Sequence, residues 1–127
     1  MKTTIEINGE QRPIVANAQL PILYRHHFGR DMMADMKKLA KSYKQAKESD
    51  TPLDQLTDEV DFSIVEPVTW LMLKLGGNDV GDNLMDWLAT IDNPMEIYRI
   101  GFECLALWNS SNQQTATLKK KGGPRQG

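Results

Sequence analysis

The sequence predicts an α+β fold, mainly α, in which an N-terminal β-hairpin packs on a bundle of about five helices. Three observations predict it. Two short runs with β-branched residues flank Asn8-Gly9, a dipeptide suited to a tight hairpin turn. From Leu20 onward, apolar residues recur at three- and four-residue steps in one segment after another. Gly29, Thr51-Pro52, Gly76-Gly77 and Asn93-Pro94 separate those segments, and each carries a chemical reason to end or start a helix. Residues 1–112 read as a single globular domain and residues 113–127, ending GGPRQG, as a flexible tail.

The hairpin spans residues 3–16, with Ile5 and Ile7 alternating on one face. A strict two-residue loop would set Ile5 opposite Arg12, whereas a four-residue loop sets Ile5 opposite Ile14. Cross-strand packing favours the second register. Pro13 lacks a backbone N–H, so its strand lies at an edge or turns that position outward. A lone hairpin is marginal, and its apolar face therefore rests on helices.

A helix over residues 20–28 follows, with Pro21 in its first turn and Leu20, Leu23, Tyr24, His27 and Phe28 on one side. Gly29 stops it, because a residue without Cβ accepts positive φ. Asp31 caps a second helix over 31–47, whose apolar stripe is Met33, Met36, Ala40 and Tyr43. Lys37, Lys38, Lys41, Lys44 and Lys47 make its outer side basic, which reads first as a solvated face. Residues 52–75 are helical with a break near Pro67: a short helix from about 52 to 60, then a longer one. Asp82 opens a helix over 82–91 with Leu84, Trp87, Leu88 and Ile91 on one face. Asn93-Pro94 opens the last, over 94–109, with Ile97, Ile100, Cys104, Leu105, Leu107 and Trp108 facing inward.

The segment Leu23-Tyr24-Arg25, then Phe28-Gly29-Arg30-Asp31, preceded by a short hairpin and followed by a long polar helix, resembles the small tail assembly chaperones of long-tailed phages and prophages. The likeness runs from about Lys2 to Asn112, and Tyr24, Arg25, Phe28, Gly29, Arg30 and Asp31 are its structural signature. It implies a non-catalytic protein of the host cytoplasm, outside the mature virion, that keeps the tape measure protein soluble during tail assembly. Contact with the tail tube protein and self-association are further partners it allows. Such chaperones are often made as short and long products by programmed ribosomal frameshifting, and Lys119-Lys120-Lys121 would be a slippery site if encoded by consecutive AAA codons.

Composition sets outer limits. The chain has 127 residues, a formal net charge of −2, 40% hydrophobic and 25% charged residues, which suits a soluble globular protein. The acidic balance argues against a dedicated nucleic-acid binder. One cysteine, Cys104, excludes an internal disulfide and fits a reducing compartment. MKTTIEINGE has no apolar signal region, and no run approaches the ~20 residues that span a bilayer.

No catalytic, cofactor or metal constellation emerges. His26 and His27 point about 100° apart on a helix and lack further ligands, so one is expected packed and the other exposed. Cys104 sits on an apolar face as a small hydrophobe. Asp54, Asp58, Glu59, Asp61 and Glu66 lack calcium-loop spacing and suit helix starts. Trp70, Trp87 and Trp108 are core residues. Arg30 and Asp31 read as capping plus a surface ion pair worth at most ~1 kcal/mol. Adjacent Met32 and Met33 cannot face the same way, and methionine suits a pliable partner surface. Met32, Met36, Tyr43, Lys37 and Lys41 are therefore the candidate partner-binding residues. The alternative functions are a small helix-turn-helix-like DNA-binding regulator, using the corner at 20–45 and its lysines, or a structural head–tail joining component.

Overall fold

The computed structural model describes the backbone of residues 1–49 and 62–121, and the side chains of 1–42, 44, 45, 48, 49 and 62–110. Within these residues the order is β1 (Lys2–Ile7), β2 (Glu10–Val15), α1 (Gln19–Phe28), α2 (Met32–Glu48), α3 (Val65–Leu75), α4 (Leu84–Leu88) and α5 (Pro94–Lys121). This is the expected α+β, mainly α arrangement of one antiparallel hairpin and helices. The expected short helix over residues 52–60 lies outside the described residues.

The hairpin corrects the favoured register. Ile5 pairs with Arg12 and Ile7 with Glu10, so only Asn8 and Gly9 form the loop. Their φ angles of 53° and 80° are both positive, as a type I′ turn requires, and that turn's twist matches the strands it joins. The turn thus outweighs a direct Ile5–Ile14 pair. Little is lost, because a register shift of two keeps each side chain on its face. Ile5, Ile7 and Ile14 remain buried together, Ile14 lying diagonal to Ile5.

The same register explains Pro13. Met1 and Ala16 exchange both backbone hydrogen bonds, at 2.6 and 2.8 Å, and so form a hydrogen-bonded pair. Alternation along the ladder then makes Thr4–Pro13 a non-hydrogen-bonded pair, whose backbone groups point away from the partner strand. A missing N–H costs nothing there. The outward Pro13 carbonyl accepts from Asn78 Nδ2 at 2.7 Å, and the outward Glu6 carbonyl accepts from Arg99 Nη2 at 2.6 Å. Asn78, just past the end of α3, and Arg99 of α5 thereby clasp the two edges of the sheet.

Helix α3 is the centre of the core. Val65, Val68, Thr69, Trp70, Leu71, Met72 and Leu73 are all buried, as expected of a helix enclosed on every side. It packs on β2, α1 and α5. Pro67 falls in its first turn, where no intrahelical donor is needed, so the break near Pro67 is a fresh start at Val65. Two polar groups inside are paired: Thr69 Oγ1 donates to the Val65 carbonyl at 2.7 Å, and Trp70 Nε1 to the Val80 carbonyl at 3.0 Å. Against α5, Gly101 lies so near Val65 that a Cβ there would collide with Val65 Cγ1.

Two helices differ in their bounds from expectation. Asn83, not Asp82, caps α4, its Oδ1 accepting from the Met85 and Asp86 amides at 2.7 and 3.3 Å, and the helix ends at Leu88. At the other end, α5 does not stop at Asn109 but continues to Lys121. Residues 109–121 lose apolar periodicity yet contain no Gly or Pro; the first such residues are Gly122-Gly123-Pro124. Periodicity reports burial, whereas breakers report termination. Asn93 caps α5 as expected, accepting from the Met95 amide at 3.0 Å.

Candidate partner-binding groove

The site begins with the corner between α1 and α2. Gly29 is left-handed at φ 65°, and its amide closes α1 on the Arg25 carbonyl at 2.8 Å. Asp31 then accepts from the Met33 amide at 2.9 Å and the Ala34 amide at 3.4 Å, capping α2 as the residue type demands.

Arg30 does not pair with Asp31. It reaches across the corner to Asp35, donating from Nε at 2.7 Å and Nη2 at 2.8 Å to the two carboxylate oxygens. Tyr24 donates its hydroxyl to the same carboxylate at 2.7 Å. Asp35 is 8% exposed and Tyr24 is fully buried. Arg30's hydrogen bonds hold the Asp35 carboxyl below its usual range despite burial. Burial, reinforced by the hydrogen bond to Asp35, pushes the Tyr24 phenol up. Tyr24, Arg30 and Asp35 form one interlocked unit that ties α1 to α2 and sets the rotation of α2 about its axis.

That rotation decides which methionine faces out. The inward stripe of α2 is Met32, Asp35, Met36 and Leu39, displaced from the expected Met33, Met36, Ala40 and Tyr43. Met32 is 1% exposed and belongs to the core, so it offers a partner no surface. Met33 is 46% exposed.

Beside this outward side of α2 lies a groove of about 690 Å³, walled by Met33, Met36 and Ala40 on α2 and by Phe102, Leu105 and Trp108 on α5. Phe62 lines it too, its ring 5.7 Å from Phe102 and 5.9 Å from Tyr98. Leu105 and Trp108 are largely buried at its base, while Phe102 stands 48% exposed at its lip. Lys37 lines the rim, and exposed Lys41 follows one turn further along α2.

Of the sequence candidates, the structure therefore brings Met36 and Lys37 into the groove and leaves Lys41 beside it. Met32 goes to the core. The Tyr43 side chain lies outside the described residues. The reading from sequence missed Met33, Phe62 and Phe102. Phe102 carried a usable signal, since it is an aromatic residue lying off the inward face of its own helix.

Of the signature residues, Tyr24, Gly29, Arg30 and Asp31 build the corner. Phe28 packs 5.4 Å from Tyr24 and 6.0 Å from Trp70, and Arg25 is exposed. Both histidines are exposed, against the expectation of one packed and one free. His27 nevertheless sets its ring edge-on to Trp70 at 5.2 Å. Partial burial first, then His26 and Lys74 nearby, lower its pKa. Cys104 is buried and its thiol is pushed up to about 12, chiefly by desolvation, which leaves it protonated and unreactive. Among the described residues no group of three or more His, Cys, Asp and Glu is placed to hold a metal ion, and no helix is long and apolar enough to cross a membrane.

No family model, curated protein or solved structure matches this chain.

Proposed function

We propose that the protein is a tail assembly chaperone of a long-tailed phage or prophage, acting without catalysis in the host cytoplasm to cover the tape measure protein until tail tube subunits replace it. The observation that carries this reading is the groove between α2 and α5, apolar within and walled by methionine and aromatic side chains. The likeness of Tyr24 to Asp31 to that family points the same way. A long helical client exposes apolar stripes that need cover before its own assembly is complete. Methionine adapts to irregular apolar shapes at low strain, which suits successive segments of one client better than a single rigid ligand. Release demands modest affinity at each contact, and many copies along one chain supply the overall hold.

Co-expression with the long, helix-rich reading frame expected downstream tests the proposal. The client should move from the insoluble to the soluble fraction and co-purify with the chaperone. Unchanged aggregation together with no co-purification would remove the proposal.

A further inference from the structure

We infer that the groove between α2 and α5 takes one short amphipathic helix of a partner protein, seated with an acidic flank along α2. This rests on the chaperone reading and names the kind of client segment each copy would hold. Three features of the groove select the occupant.

The first is hydrogen bonding. Both long walls are helices, whose backbone groups are satisfied within themselves, so among the described residues these walls present no row of free donors and acceptors to an extended strand. An occupant must satisfy its own backbone, and a helix does so. The second is length. Met33 to Ala40 on one wall and Phe102 to Asn109 on the other each cover about two turns, roughly 10 Å at 1.5 Å per residue. Apolar anchors at i, i+3, i+4 and i+7 fill that span.

The third is charge. Lys37, Lys41 and Lys44 stand at i, i+4 and i+7 along the α2 rim, and all three are exposed. Among the described residues no carboxylate lines the groove. Asp35 of α2 turns inward to Tyr24 and Arg30, while Glu96 and Glu103 of α5 are engaged by Arg99. An acidic flank on the occupant complements this rim, and a basic one is repelled. A second copy of the chain does not supply such a helix among the described residues. The α2 face is basic, α4 has only five residues, and the α5 carboxylates pair within their own helix.

Two fluorescent helical peptides of about 14 residues test this, sharing one leucine stripe but carrying glutamate or lysine on its flank. Anisotropy titration of the full chain should show the glutamate peptide binding about tenfold tighter at low salt, or ~1.4 kcal/mol, with the gap closing as salt rises. Lys37→Glu with Lys41→Glu should reverse the preference. Met33→Glu and, separately, Phe102→Glu should abolish binding of both peptides while leaving the thermal transition in place, since each side chain is about half exposed. Equal affinity for the two peptides, or binding indifferent to the groove variants, would overturn the inference. A photo-cross-linker at position 102 that joins only to its own chain, or to a second copy, would overturn it as well.

The two readings fail separately. Groove variants that still solubilise the tape measure protein would sink the groove and spare the chaperone. Peptide discrimination without any effect on that client would do the reverse.

Discussion

Replacing Asp35 by alanine should cost this protein more stability than any exposed charge change, for a reason visible in its partners. The carboxylate accepts from the buried Tyr24 hydroxyl at 2.7 Å and from two Arg30 nitrogens at 2.7 and 2.8 Å. Truncation strands the phenol in the core, and a buried hydroxyl without a partner costs about 1–3 kcal/mol. Arg30 is half exposed, so water takes over most of its lost interaction. A total near 2 kcal/mol is a sizeable part of a typical stability of about 5–15 kcal/mol, and lowers Tm by roughly 6–12 °C in a domain of this size.

Thermal unfolding followed by circular dichroism reads the loss, and a second substitution reads its cause. Tyr24→Phe removes the stranded hydroxyl, so Tyr24→Phe with Asp35→Ala should be about 1 kcal/mol more stable than the two single losses summed. The pH dependence has a definite sign. Asp35 titrates below its usual value when folded, so its contribution is complete above about pH 4 and is lost as pH falls through the depressed folded value. The gap between parent and Asp35→Ala should narrow in acid. Tyr24 titrates above its usual value, so the neutral phenol's contribution holds below about pH 10 and fades as pH rises further. A Tm within 2 °C of the parent for Asp35→Ala, or strict additivity with Tyr24→Phe, would refute the interlocked corner.

Gly101→Ala should destabilise the protein by about 1–3 kcal/mol in urea titration, because the new methyl meets the stiff, buried Val65 side chain and overpacks the α3–α5 contact. Adding Val65→Ala should recover part of that loss; a more stable Gly101→Ala, as exposed-helix propensity alone would give, counts against the close packing. Cys104 should resist thiol reagents at pH 8 in the native protein and react at once in denaturant, and rapid native labelling would contradict its burial. The His27 ring protons should titrate in NMR below the usual ~6.5, and a value at or above it would dissolve the proposed packing on Trp70.

Much of the architecture was legible in the chain because it depends on residues close together in sequence. Gly29 and Asp31 mark a helix end and a helix start through their own backbone preferences and side-chain reach. Asn93-Pro94 does the same for α5. The face of α5 carrying Ile97, Ile100, Cys104 and Trp108 is set by helical period and is buried as the pattern predicts. The hairpin shows both sides of the matter. Asn8-Gly9 announces the turn, but the register follows that turn's own dihedral demands rather than direct Ile5–Ile14 pairing.

The groove was less legible, because it depends on how far α2 is rotated. Met32 and Met33 are chemically alike, and nothing local says which one faces the core. Asp35 is one polar residue on a polar helix, with nothing local to mark it. Its partners Tyr24 and Arg30 lie 11 and 5 positions away, across a corner whose geometry had to exist before the three could meet.

Local order was therefore written in the sequence: the hairpin turn, the caps at Asp31 and Asn93, and the helical periods. Tertiary structure alone decided that one carboxylate would be drawn inward, that α2 would turn Met33 rather than Met32 outward, and that Phe62 and Phe102 would meet it from distant parts of the chain. The physical reason is range. Backbone preferences act within a few residues, whereas burial of Asp35 and the opening of a groove depend on two surfaces that become neighbours only when the chain has folded.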